Sequence, residues 1–422
     1  MPALYPQLGH AAGGGAAAVA ASAVSGQPKT ALRAGSVPNR RHQIEQIGCN
    51  RFEIHYHGAA QHHGSDFPMS IRPTRLLSIL ASILLVCAMP ALGDPQGVYQ
   101  GAYVLAEPES CGVSARYPKS EYNSDREGWV DLRFTVKADG SIADVEPVTH
   151  MGGDAFVDQS VRWLRNCRFK PAMENGKPVD TQNLVQRFHF AINASGASKA
   201  VRTRLMDVND MIQQGRLDEA EAMLDALEPD ARMIYELVHI LLRRASIMVL
   251  RERSDVALLY LWQLSGSNDY LEKDEYGRYL RMQLQLELKH GLLNNALWTL
   301  PHFKDLGQRP GDEKIVEALE KLKAIAASDQ PMMINGRIPA ECRGMICPST
   351  EPGWDYFPVR RTISLTGIEG NLKQVVGYCR NKTFKMKAEA DVTWTIPASW
   401  GQCAIRVTGE PGSRFKLIDE NM

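Results

Sequence analysis

The sequence carries none of the short motifs that mark catalysis or cofactor binding. No G-x-S-x-G elbow, H-E-x-x-H helix, phosphate loop or dinucleotide fingerprint occurs in its 422 residues, and each of those chemistries depends on a geometry that such spacing encodes. Histidine is scarce beyond Gly93. The five there, His150, His189, His239, His290 and His302, include no two that are three or four residues apart, the spacing of a metal pair. No two cysteines have the two-residue spacing of a thiol redox or zinc-ribbon motif. Net charge is absent too: 48 basic residues balance 48 acidic ones, so no strong pull toward nucleic acid or anionic membranes is expected. What remains is a non-enzymatic chain with no cofactor, no metal and no small-molecule substrate, and with the 44% apolar content of an ordinary globular protein.

Residues 1–68 differ from the rest. His10 to Gly26 is a run of Ala, Gly, Ser and Val without period, and Arg33 to Arg51 is polar and basic. Such a stretch buries too little apolar surface to offset chain entropy, so it reads as a disordered or untranslated extension, and the cluster His55, His57, His62 and His63 falls inside it. Met69 then opens the pattern of a secretory signal over 69–93. Arg72 and Arg75 precede an apolar run from Leu76 to Met89, and Ala91-Leu92-Gly93 supplies small residues for cleavage before Asp94. A signal is poorly placed behind 68 residues, so translation is expected to start at Met69. The alternative is an uncleaved anchor, although the 17 apolar positions from Leu76 to Leu92 are interrupted by Pro90. Lipidation of Cys87 is a third option, against which stands Val86 before it.

Cysteine usage agrees with export. Six follow Gly93, an even number that suggests bridges while leaving fifteen connectivities open. Two lie in a front unit and four in the last, so pairing within each group is the economical reading: Cys111 with Cys167, Cys379 with Cys403, and Cys342 with Cys347.

After a linker over 94–110, three units follow. In the first, 111–194, Val130, Leu132, Phe134 and Val136 alternate with Asp131, Arg133, Thr135 and Lys137, the period of a half-buried strand. Asp139-Gly140 gives a hairpin turn, and Pro147 in the second strand implies a bulge or an edge. Asp154 is placed to cap a helix bearing Phe156, Val157, Val161 and Leu164, and a third strand runs to Ile192. Following chain direction, a fully antiparallel sheet has the order 2-1-3, which leaves strands two and three as edges open to an added strand.

The second unit, 198–328, is helical. Gly215 to Ala220, with Leu224, recurs as Gly291 to Ala296, with Leu300, and a weaker copy holds Ala257 and Leu261. The alanines stand 37 and 39 residues apart, which resembles tetratricopeptide-like repeats of stacked helical hairpins, with a plain bundle as the alternative. Glu219, Glu221 and Asp225 beside Arg216 read as solvated surface charge. The third unit, 331–422, returns to strands: one long strand or two over Phe384 to Ile396, and a hairpin about Glu410-Pro411-Gly412. A small antiparallel sandwich is the simplest architecture, with Trp354, Trp394 and Trp400 in its core or rim. The fold class is thus α+β multidomain: a β-β-α-β domain, a helical-hairpin domain and a small β domain.

Several features of the first unit occur in the order found in one family. They are Tyr117-Pro118, Gly128-x-Val130, Lys137-x-Asp139-Gly140, Gly152-Gly153, Arg168-Phe169-Lys170-Pro171-Ala172, Asn175-Gly176-Lys177-Pro178-Val179 and Phe188-x-Phe190. Together they resemble the C-terminal domain of the TonB energy transducers. The resemblance implies a periplasmic module that grips a short peptide, the TonB box of an outer-membrane transporter, by strand pairing. It places the contact along Thr181 to Ile192, with Val185, Arg187 and His189 on the face opposite the core and Tyr117-Pro118 nearby. Two departures stand out: about 23 residues separate Gly93 from Tyr117 where the family has a long spacer, and some 230 residues follow a domain that usually ends the chain. An envelope scaffold acting through the helical repeats is the alternative function, and an inner-membrane anchor facing the periplasm the alternative location.

Overall fold

The structure, a computed structural model, describes residues 103–111, 116–192, 196–307, 309–340, 342, 344 and 351–421. The extension, the signal segment and Cys347 lie outside the described residues. No described helix is long and apolar enough to cross a membrane.

In the front domain, β1 (Gly128–Val136) and β2 (Ile142–Met151) form a hairpin, followed by α1 (Asp154–Leu164) and β3 (Thr181–Phe190). The sheet order is β2-β1-β3, antiparallel throughout, as chain direction requires. In the hairpin turn only Gly140 takes a positive φ, 78°. Asp139 instead accepts the Ser141 N–H at 2.9 Å and the Ser141 hydroxyl. Gly153 rather than Asp154 is the cap of α1, and Asp154 becomes the first helical residue, where its charge still suits the helix N-terminus. Phe156, Trp163 and Leu164 of α1 bury against Val130, Leu132 and Phe134 of β1 and Leu184, Phe188 and Phe190 of β3 as one cluster; each such side chain contributes about 1.5–3 kcal/mol.

Residues 103–110, read from sequence as linker, belong to this domain. Glu107–Ser110 pairs with Arg168–Lys170, and Tyr103–Val104 pairs with Ala172–Glu174. The expected Cys111–Cys167 bridge fastens this lead-in to the end of α1.

Among the described residues the second unit has seven α-helices: α2 (Lys199–Gln213), α3 (Leu217–Leu227), α4 (Ile234–Leu250), α5 (Ser254–Trp262), α6 (Lys273–Lys289), α7 (Leu293–Lys304) and α8 (Asp312–Ala327). α2/α3, α4/α5 and α6/α7 pack as hairpins, and α8 lies against α6 and α7. Ala220, Ala257 and Ala296 are each 0% exposed where the paired helices approach. Five residues before each alanine, the first helix of the pair ends in a left-handed residue: Gly215 (φ 74°), Glu252 (φ 58°) and Gly291 (φ 72°). The next N–H in each case reaches back, from Arg216 to Met211, Arg253 to Met248 and Leu292 to Glu287, closing a Schellman turn. Glu252 fills in the weak middle copy a position that glycine fills in the other two.

The described residues of the third unit form two four-stranded antiparallel sheets. Its strands are β4 (Met332–Arg337), β5 (Gly353–Tyr356), β6 (Thr362–Glu369), β7 (Leu372–Cys379), β8 (Thr383–Lys387), β9 (Thr393–Thr395), β10 (Cys403–Gly409) and β11 (Arg414–Glu420). One sheet has the order β5-β10-β7-β8, the other β9-β6-β11-β4. They face each other through the Trp354 and Phe415 rings, 5.2 Å apart, and the Tyr356 hydroxyl donates to Asp419 at 2.8 Å. The stretch from Phe384 to Ile396 is two strands in different sheets. Glu410-Pro411-Gly412 is not a hairpin turn: it carries the chain from β10 across to β11. Both flanks of β10 are already taken, by β5 and β7, and both flanks of β11 by β6 and β4. The Cys379–Cys403 bridge is present, and Cys342 is disulfide-bonded.

The helical and sandwich units share a continuous core. The buried Arg360 guanidinium joins them, donating to Ile325 and Ser328 at the end of α8 (2.9 and 2.6 Å) and to Gln330 (2.6 Å), where a cation also complements the helix dipole.

Candidate functional site

β3 is an outer strand, and among the described residues no strand pairs with its other edge. From Leu184 to Phe190 it runs in unbroken register with β1. Its even-numbered residues turn inward. Val185, Arg187 and His189 lie on the opposite face, as expected, yet all three are half-buried.

The cause is that the supposedly open face of the sheet is covered. β1, which alternates like a half-buried strand, is buried on both faces: Asp131 is 8% exposed and Thr135 3%. Trp129 and Met151 join the helical core instead of that of their own domain. Arg187 grips Asp131 with two bonds, 2.7 and 2.8 Å, and donates to the Gln263 and Ser265 carbonyls of the helical unit at 2.7 and 2.9 Å. Burial pushes the Asp131 carboxyl upward, but the Arg187 charge and hydrogen bonds from Arg187 and Thr149 hold it below its ordinary value. Breaking one side of a buried pair of this kind costs about 3–5 kcal/mol. Arg187 is therefore committed within the chain.

A second joint lies at the entrance to β1. Glu127, fully buried, accepts from Ile192 N–H at 2.8 Å and from Ile234 N–H at 3.1 Å, the first residue of α4. A third meets the start of β3. Gln182 N–H donates to the Arg380 carbonyl at 2.6 Å, and the Asn183 amide donates to the Cys379 carbonyl and Thr383 hydroxyl at 2.8 and 3.0 Å. Asn183 takes φ 58°, at the bulge where β3 joins its regular register. Beside it, Arg133 stacks over the Tyr378 ring at 3.9 Å.

Tyr117 meets the end of β3. Its ring contacts Phe156 and Phe190, and its hydroxyl donates to the Arg126 carbonyl at 2.5 Å and to the Phe190 carbonyl at 3.4 Å. Burial, followed by the Glu127 and Glu121 charges, raises that phenol. Pro118 caps the short helix Lys119–Asn123. On the other edge, β2 breaks register with β1 twice and holds exposed Pro147 and left-handed Asp144 (φ 51°). Among the described residues no group of three or more His, Cys, Asp or Glu is placed to hold a metal.

Asp131, Glu127 and Asn183 were not singled out from sequence. Trp129 on a face otherwise polar was the available signal that this face is covered. Glu221, read as solvated, is 4% exposed and paired with Arg251.

Residues 113–192 match the family model for the Gram-negative bacterial TonB protein C-terminal. This covers 80 of 422 residues and assigns the front domain alone. The solution NMR structure of the Pseudomonas aeruginosa TonB CTD is 22% identical over 22% of this chain and 90% of that chain, with a TM-score of 0.18. No curated protein matches the chain.

Proposed function

We propose that the chain is an exported, non-catalytic periplasmic protein that binds a short segment of an outer-membrane transporter by strand pairing at β3 and so takes part in TonB-dependent transport. The observation that carries this reading is the regular outer strand Leu184–Phe190 inside the segment that matches the TonB C-terminal family. An outer strand offers backbone donors and acceptors to an incoming chain, and its alternate side chains select among partners. The Cys111–Cys167 and Cys379–Cys403 disulfides and the bonded Cys342 suit an oxidising compartment, in agreement with a signal peptide starting at Met69.

The test is capture of TonB-dependent transporters from outer-membrane extracts by the full chain. Val185→Pro, which removes a backbone donor from β3, is expected to abolish capture. Retention by that variant would sink strand pairing.

A second reading is an envelope adaptor that binds through the helical hairpins. It is favoured by one observation, that Arg187 and the outer face of β3 are already engaged by the helical unit. Capture that survives Val185→Pro and is lost on changes in α2 to α8 would support it.

A further inference from the structure

We propose that the sandwich is an internal gate on β3, its Cys379–Arg380 turn lying against the edge that a transporter segment would use. The inference rests on the strand-pairing reading and adds a regulatory step to it.

The turn continues the β7–β10 ladder outward. Arg380 N–H donates to Gln402 at 2.9 Å and Asn381 N–H to Trp400 at 3.0 Å, so Arg380 is anchored on its own sheet while its carbonyl takes the Gln182 N–H of β3. The Cys379–Cys403 bridge joins paired residues at the base of this turn and fixes its position. Asn183 extends its amide to the Cys379 carbonyl and to Thr383, and Arg380 stacks over Tyr103 at 3.7 Å. A strand laid along β3 and continuing past Leu184 toward Thr181 meets this turn, because one backbone donor there is already spent on Arg380.

The contact is built to be broken. Among the described residues it has four hydrogen bonds and two cation–ring stacks, each worth about 0.5–1.5 kcal/mol net. None of the described sandwich residues enters the core cluster formed by the interior of the front domain. A small cleft lined by Arg133, Val185, Phe357, Tyr378, Cys403 and Ala404 lies at the clasp. Among the described residues no sandwich residue bonds to the other edge, which Pro147 itself interrupts and whose Thr149 reaches Gln263 of the helical unit.

The experiment compares the full chain with Asn183→Gly/Arg380→Ala, glycine being chosen because it keeps the left-handed conformation. Binding of synthetic peptides from the periplasm-facing amino termini of TonB-dependent transporters is measured by fluorescence anisotropy. The clasp variant is expected to bind about tenfold tighter, the return of one to two net hydrogen bonds. Equal affinity for both proteins overturns the gate and leaves strand pairing standing. No binding by either overturns both. Thr383→Ala, which removes the one hydroxyl that exchanges hydrogen bonds with the Asn183 amide, is the second variant should the double substitution not fold, with a smaller gain in the same direction expected.

Discussion

β2 and β3 are the two outer strands of one small sheet, and they are protected in opposite ways. β2 is spoiled as a template by its own sequence: Pro147 lacks a donor, Asp144 is left-handed, and two bulges break the register. β3 is regular over seven residues, Leu184 to Phe190, and what guards it comes from elsewhere in the chain: Arg380 and Cys379 at its start, Gln263 and Ser265 against its face. A defence written into the strand is permanent. One supplied by tertiary contacts can be withdrawn.

The difference has graded consequences. Arg187→Ala strands Asp131 without its partner and is expected to cost about 3–5 kcal/mol in denaturant unfolding. Glu146→Ala on β2, which removes only the exposed pair with Arg133, should cost less than about 1 kcal/mol. Equal losses would erase the distinction between the strands. The same variant should change the pH dependence. In the native protein Asp131 titrates below its ordinary 3.8, so its contribution is present above that pH and lost as pH falls through the folded value. Without Arg187, burial prevails and lifts the carboxyl. The folded state then keeps a proton that the unfolded chain releases, and stability falls as pH rises above about 4. Urea midpoints between pH 4 and 7 show the sign.

A smaller effect separates Asn183→Ala from Asn183→Gly. The alanine loses the amide contacts and sits badly at φ 58°, costing about 2 kcal/mol, against about 1 kcal/mol for glycine. Pro147→Val is expected to move stability by less than about 0.5 kcal/mol. It restores a donor to an exposed edge, so concentration-dependent self-association should appear in sedimentation. A strictly monomeric variant would show that the bulges alone protect β2.

What could be read from the sequence divides along the same line. Pro147 and the Asn175-Gly176 turn are local signals; the strand order, the pairs Cys111–Cys167 and Cys379–Cys403 and the alanine period of the helices follow from chain direction, cysteine grouping and repeat spacing, and the structure contains them. The alternation in β1 was read as one wet face because Asp131, Arg133 and Thr135 are polar. Polarity reports what a side chain needs, and Asp131 meets that need from Arg187 inside an interface instead of from water. Glu252 hid the middle helical turn, since a non-glycine in the left-handed region leaves no compositional mark. In the sandwich, alternation and turn residues located the strands but could not say that β10 and β11 lie in different sheets, because partner choice is decided by packing at long range.

The most direct test of the central claim is hydrogen exchange on the full chain with and without a transporter peptide. The account predicts new protection over Leu184–Phe190, faster exchange at Gln182 as its bond to Arg380 opens, and no change along Ile142–Met151. Protection on that second stretch, or unaltered exchange at Gln182 when the peptide is bound, would contradict it.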